Sequence, residues 1–248
     1  MPSGLRARVV TALLLAAAVI VILFWLPPGV AVLAVMVVVG AGAWEWAGLA
    51  GLPSTGARAG YTLAIGLVTV LAWWLTETVP APLALPWVAA GWWLVALAWL
   101  AVAPGRGGPR LAALAGFLVL VPAAVALGRL VELEPSGQSL LLFLLVLIAA
   151  ADVGAYFGGR RFGHRKLAPR VSPGKTLEGF IAGLAAAGLA AAAGAYLLGF
   201  PALPWLVMCL LVALVSVVGD LSESMFKRRA GVKDSGALLP GHGGILDR

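Results

Sequence analysis

"VVTALLLAAAVIVILFWL", Val9 to Leu26, decides how the rest of the chain is read. Arg6 and Arg8 precede it, as basic residues precede the apolar core of a secretory leader. Yet the stretch is long for such a core, which runs about 7 to 15 residues, and no small-residue cleavage site follows it. It reads as a retained membrane span, and every later segment inherits its orientation from that choice.

A helix needs about 20 predominantly apolar residues to cross the hydrocarbon core of a bilayer. Beyond the first, seven more stretches reach that scale: roughly 30 to 49, 59 to 75, 83 to 103, 111 to 128, 139 to 157, 177 to 199 and 201 to 221. These predict an all-α, polytopic integral membrane protein with about eight transmembrane helices. At 62% hydrophobic and 11% charged over 248 residues, the chain is too apolar for an ordinary soluble domain. Its ten Trp and 32 Gly suit interfacial belts and membrane helices. Cys209 is the single cysteine, which excludes a disulfide framework and a Cys-rich metal site.

A net charge of +7 would suggest nucleic acid as partner of a soluble protein, but here the cations belong to the loops, and no nucleic acid is expected. Lys and Arg mark cytoplasmic loops. With the N-terminus inside and the spans alternating, Arg6, Arg8, Arg58, Arg106, Arg110, the run from Arg160 to Lys175, the run from Lys227 to Lys233 and Arg248 all fall inside. Of the seventeen Lys and Arg, Arg129 alone falls outside. One missed helix would invert everything after it, so the charge pattern supports the span count. Residues 1–135 then form an N-terminal set of transmembrane helices. Residues 136–248 form a C-terminal membrane region with two cytoplasmic segments, 158 to 176 and from Ser222 onward.

Acidic residues are costly to insert in a span and are functional candidates for that reason. Asp152, in "LIAAADVGAYFGG", lies near the cytoplasmic end of the sixth span, Asp220 at that end of the eighth, and Glu178 opens the seventh. Each could form a structural ion pair; their common shallow depth favours a shared site. At about 100° per residue, Asp220, Glu223, Ser224 and Lys227 fall within one arc. Carboxylate, hydroxyl and ammonium on one face suit a magnesium ion with a phosphate, whereas a helix end snorkelling to headgroups would explain Arg228 and Arg229 but not the acids.

"SPGKT", Ser172 to Thr176, invites a phosphate-loop reading and fails it: Pro169 stands where the pattern needs Gly, and no strand context is expected. A turn at Ser172, Pro173 and Gly174 before a helix start remains, where backbone N–H groups and Lys175 would attract an anion. Gly179 and Gly183 follow at the spacing of close helix packing. The chain closes on "KDSGALLPGHGGILDR", Lys233 to Arg248. Gly241, Gly243 and Gly244 would let the backbone approach a ligand. Lys233, His242 and Arg248 supply donors there, and Asp234 and Asp247 supply acceptors, a mixture suited to a triphosphate with its cation. His242 is assigned phosphate contact rather than base work.

"SMFKRRAGVKDSGALLPGHGGILDR", Ser224 to Arg248, resembles the signature of the phosphatidate cytidylyltransferase (CDP-diacylglycerol synthase) family, nearly complete over its length. "ADVGAYFGGRRFGHRKLAPRVSPGKTLEGFIAG" is similar to that family's preceding cytoplasmic segment, while the first 140 residues resemble it only as generic membrane helices. The resemblance implies an enzyme of the bacterial-type inner membrane, its active site cytoplasmic, that joins CTP and phosphatidate to give CDP-diacylglycerol and pyrophosphate. It also implies Mg²⁺, often with K⁺, and a homodimer. By the same resemblance, Asp220 and Asp247 match metal-binding acids; Lys175, Lys227, Arg228, Lys233 and His242 match basic positions around the nucleotide phosphates; and Asp152 matches an acid of the same polar cavity. Ser224, Glu178 and Gly243 are expected beside the substrate. Family members continue past the Asp-Arg pair with an apolar residue, a further Asp and another helix, so a ninth span is expected in a full-length member and this chain reads as a truncated product. A CTP-dependent lipid-alcohol kinase is the neighbouring alternative, distinguished by its product. A transporter would instead need polar residues near the bilayer midplane and access from both faces.

Overall fold

The computed structural model describes residues 3–79, 84–238 and 243–247, with side chains from Thr11 onward. Eight helices follow in chain order: α1 (Ser3–Phe24), α2 (Pro28–Leu49), α3 (Thr55–Thr78), α4 (Ala84–Val102), α5 (Pro109–Glu132), α6 (Gly137–Phe162), α7 (Leu177–Leu198) and α8 (Ala202–Arg229). Strands β1 (Lys166–Ala168) and β2 (Ser172–Thr176) lie between α6 and α7. Among the described residues, α2 to α8 are long and apolar enough to cross a membrane, and the apolar part of α1, Thr11–Phe24, is shorter. The expected stretches are therefore helical, and several of the helices extend past them into polar residues by up to about two turns.

Helix limits follow local chemistry. Pro28 occupies the first turn of α2, where its missing N–H costs nothing. The Ser54 side chain accepts from the Ala57 N–H at 3.1 Å and caps α3, and Thr176 caps α7 in the same way through the Gly179 N–H at 3.1 Å. Gly199, with φ of 73°, ends α7 in the left-handed conformation that favours glycine.

The chain forms two compact units. One comprises residues 1–94, 105–138 and 226–248; the other comprises 95–104 and 139–225. Residues 105–138 and 139–225 divide close to the expected boundary between 1–135 and 136–248, while 226–248 group with the N-terminal helices and 95–104 with the second unit.

In the first unit α2, α3 and α5 pack through small residues: Ala43, Ala47, Ala115 and Ala124 are fully buried. The Trp46 indole N–H donates to the Ala112 carbonyl at 2.7 Å, and the Tyr61 hydroxyl to that of Ala113, also at 2.7 Å, so both buried polar tips are satisfied. Arg129, the cation expected on the opposite side from the rest, is paired rather than stray. It meets Glu77 at 3.1 Å and Glu132 at 3.2 Å, lies 4.4 Å from the Trp73 ring centroid, and so ties α5 to α3.

In the second unit α6 and α7 meet along glycine and alanine. A Cβ at Gly183 would lie 2.8 Å from the Ala151 carbonyl oxygen, and one at Gly179 2.8 Å from that of Ala155. Such approach is how membrane helices gain dispersion contact without a hydrophobic drive between them. Below it sit Leu147, Ala187, Ala191, Trp205 and Cys209, with Phe200 stacked on Trp205 at 4.4 Å. The packing yields a prediction. Gly183→Val should cost about 1 to 3 kcal/mol by overpacking, read as a lower thermal midpoint in detergent. Gly188→Ala should leave that midpoint unchanged, because the added methyl would first meet Leu210 at 4.0 Å.

Candidate functional site

The hairpin between α6 and α7 positions the first group of side chains. Its strands are antiparallel, with Lys166 opposite Thr176 and Ala168 opposite Ser172. Ser172 to Thr176 is thus a strand and not the expected turn. The strand context missing from the sequence reading exists, although the glycine that a phosphate loop requires is still Pro169. Glu178 fixes the hairpin from the first turn of α7 by accepting the backbone N–H groups of His164 at 3.0 Å and Arg165 at 3.2 Å. Its carboxylate is engaged by the backbone at the position where substrate contact was expected.

So held, β2 presents Lys175 to a cavity of about 400 Å³ within the second unit. Asp152 on α6 and Asp220 on α8 line the same space, and the Lys175 ammonium donates to the Asp220 carboxylate. Of the three acids that sequence placed at a common depth, Asp152 and Asp220 line this cavity, whereas Glu178 is spent on the hairpin backbone. Arg160 and Tyr156 also line it, the guanidinium donating to the tyrosine hydroxyl at 3.0 Å. Arg160 had been read only as a topology charge; its place one and two turns beyond Tyr156 and Asp152 on one helix is the signal that could have found it. Phe180, Leu184, Ala213 and Val217 complete the wall with hydrocarbon. Acids and cations above an apolar wall suit an amphiphile with an anionic head.

A second polar cluster lies in the first unit and carries the terminal motif. The Lys227 ammonium donates to one Asp247 oxygen at 2.7 Å, and the N–H groups of Ser235 and Gly244 donate to the other at 2.9 and 2.8 Å. Burial alone would raise the pKa of this carboxyl. The Lys227 hydrogen bond and the two N–H donors outweigh it and hold the value below the ordinary 3.8. Asp220 belongs to the second unit and Asp247 to the first.

Glu45 of α2 is the residue that sequence reading missed. It is 3% exposed, and it accepts from the Ser235 hydroxyl at 2.7 Å and from the N–H groups of Ile245 at 2.9 Å and Leu246 at 3.0 Å. The signal was available, since "AWEWAG" puts an acid inside an apolar span. Glycines of the motif serve these carboxylates. A Cβ at Gly244 would lie 2.6 Å from the Glu45 carboxyl carbon, and one at Gly243, where φ is 86°, 2.7 Å from Asp247. Among the remaining expected residues, Arg228 and Lys233 are exposed and Ser224 half-buried, while His242 and Arg248 lie outside the described residues, as does Gly241.

The pKa of Asp247 fixes a sign. A depressed folded-state value means that the contact stabilises fully above the ordinary carboxylate range and is lost as pH falls through the lower value. Amide protection at Ser235 and Gly244, corrected for intrinsic exchange, is expected to stay level from about pH 7 to 5 and to fall only below about pH 4. Asp247→Asn should cost about tenfold of that protection already near neutrality, because hydrogen bonds to a charged acceptor are the stronger ones. Exchange detected by mass spectrometry on peptides from 226 to 247 checks both.

Residues 6–248 match the sequence profile of the cytidylyltransferase family. A phosphatidate cytidylyltransferase of Pseudomonas aeruginosa is 43% identical over 251 residues, spanning 98% of this chain and 91% of that protein. One of Haemophilus influenzae is 39% identical over 275 residues, spanning 98% and 93%. One of Brucella suis is 45% identical over 152 residues, spanning 58% and 52%.

Proposed function

This chain belongs to the cytidylyltransferase family, and on that premise we propose that it transfers the cytidylyl group of CTP to phosphatidate, giving CDP-diacylglycerol and pyrophosphate for phospholipid synthesis. One observation carries the reading onto this molecule: Lys175, Arg160, Asp152 and Asp220 line a single cavity whose remaining wall, apart from Tyr156 and Thr176, is apolar. A lipid phosphate can enter it headgroup first while its acyl chains stay in the bilayer.

In the reaction a phosphatidate oxygen attacks the α-phosphorus of CTP, a new P–O bond forms and the bond to pyrophosphate breaks. The nucleophile needs no strong base, because a phosphomonoester has a second pKa of about 6 and is largely dianionic near neutrality. Residues of this chain then serve mainly to position the substrates and to offset charge. Lys175, drawn by Asp220, and Arg160 offer donors to phosphate oxygens. Thr176 and Glu178 hold the hairpin in place and so fix where the ammonium points.

Magnesium is the cofactor we assign. The cavity suits it, because Mg²⁺ is bound through one or two carboxylates plus substrate phosphates, and Asp152 and Asp220 face the same space. Among the described residues no larger cluster of ligating side chains occurs. When bound, the ion neutralises phosphate charge and eases departure of the leaving group. Asp247 keeps its assignment as a metal acid on the signature alone, as do Lys227, Arg228, Lys233, His242, Gly243 and Ser224 their nucleotide contacts. K⁺ and a homodimer rest on the same resemblance. The inner-membrane location, with the N-terminus and site facing the cytoplasm, is supported by the Lys and Arg distribution.

Membranes containing the protein, supplied with labelled CTP, phosphatidate and Mg²⁺, should form a lipid-soluble cytidine product with stoichiometric pyrophosphate. Release of CDP with no cytidine in the lipid would instead identify a kinase. Asp220→Asn should lower product formation on the order of 10²-fold with insertion unchanged; full turnover would remove Asp220 from the site.

A further inference from the structure

Glu45 has no part in the reaction as described above, yet it is the buried acid around which the signature segment is arranged. Three donors converge on its two oxygens: Ile245 N–H on one, Leu246 N–H and the Ser235 hydroxyl on the other. These donors lie at both ends of the segment from Ser235 to Leu246, and two of them, Ile245 and Leu246, directly precede Asp247. The packing around the carboxylate leaves no room for side chains. A Cβ at Gly236 would stand 2.5 Å from one Glu45 oxygen, and Gly244 is limited as described. Three residues earlier on the same helix, a Cβ at Gly42 would stand 3.2 Å from the Leu246 side chain. One residue later, the Trp46 ring packs on Phe226, 5.2 Å between centroids, beside Lys227. One face of α2 thus forms the seat of the segment.

We propose that Glu45 is a positioning residue for cytidylyl transfer: by accepting the Ser235, Ile245 and Leu246 donors it holds the signature segment in the conformation that presents Asp247 and Lys227. The inference rests on the functional reading above. It has a chemical signature of its own. Each Glu45 oxygen faces a backbone N–H, so an amide of the same shape must point its NH₂ at one of them whichever way it flips. Glu45→Gln therefore loses a contact and gains a repulsion at almost unchanged volume, whereas Glu45→Asp keeps two acceptors and gives up reach.

The test uses full-length protein in membranes or detergent and reads three quantities: amide exchange of peptides covering 235 and 243 to 247, the thermal midpoint, and the kcat and KM for CTP. Glu45→Gln is expected to raise exchange there about tenfold, the loss of a charge-assisted contact, and to lower kcat/KM for CTP about tenfold or more. Glu45→Asp should recover part of both. Glu77→Gln, at the far end of α3 on Arg129, serves as comparator and should change neither. Should Glu45→Gln fail to accumulate, Ser235→Ala removes one of the three contacts and is expected to move exchange and kcat/KM a few-fold in the same direction.

Wild-type exchange and kinetics in Glu45→Gln would overturn the proposal. So would a loss of activity that follows the thermal midpoint equally in the Gln, Asp and Glu77 variants, since that would mark a merely structural acid. If the wild-type protein forms no lipid-soluble cytidine product, the functional reading fails by itself, and the exchange measurements still decide whether Glu45 clamps the segment.

Discussion

A carboxylate carried into or beside a membrane helix must bring its own donors, because hydrocarbon supplies none and an unpaired buried charge costs several kcal/mol or more. Several carboxylates among the described residues meet the constraint with fixed donors. Glu45 takes two backbone N–H groups and a hydroxyl, Asp247 an ammonium and two N–H groups, Asp220 the Lys175 ammonium, Glu178 the N–H groups of His164 and Arg165. Glu77 and Glu132 share the Arg129 guanidinium. Much of the irregular backbone is organised by this need. The hairpin after α6 is closed by Glu178, and the terminal segment by Glu45 and Asp247. Acids that a sequence reader assigns to ligands are, in part, the acids that fold the loops.

Small residues answer the complementary problem of bringing helices close enough to build a cavity. Along α6 and α7 the approach is set by Gly154, Gly158, Gly179 and Gly183, whose missing side chains let backbone meet backbone. Along the same stretch Asp152, Tyr156 and Arg160 on one helix and Phe180 and Leu184 on the other line the cavity, together with Gly179 and Gly183 themselves. Tight packing and an open site therefore share one stretch of one helix pair. Substitution at Gly154 or Gly158 would reach the cavity through helix separation, whereas one at Gly179 or Gly183 would also alter its lining.

Most of the helical frame was legible because its signal is coarse: about 20 apolar residues bounded by loops that concentrate Lys and Arg. The cavity was partly legible for a related reason, since Asp152 and Asp220 stand out in an apolar background at comparable depth, while Lys175 was marked by its place in "SPGKT" and Glu178, set at the same depth, turned out to serve the hairpin. Glu45 carried the same mark and was passed over, because it lies in the N-terminal helices, far in sequence from the motif that drew attention. Nothing local links position 45 to positions 235 to 246; that contact spans about two hundred residues and exists only in the fold. The hairpin was missed for the opposite reason. Three paired residues held by one carboxylate fall below the length at which alternation is readable.

The glycines of the terminal motif show how a correct pattern can carry an incomplete reason. From sequence they suggest backbone making room for a ligand. In the structure Gly243 adopts a positive φ against Asp247, and Gly236 and Gly244 lie against Glu45, so the room they make is taken by carboxylates of the chain itself. Both reasons can hold for one segment, because a loop pressed onto fixed acceptors from behind is rigid toward whatever approaches its other face. Rigidity of that kind suits phosphoryl chemistry, in which catalysis is mostly placement and charge and the protein forms no covalent intermediate. The demand on such a segment is then for small residues and donors where it meets the carboxylates, and it is the buried acid on α2, outside the motif, that sets much of that demand.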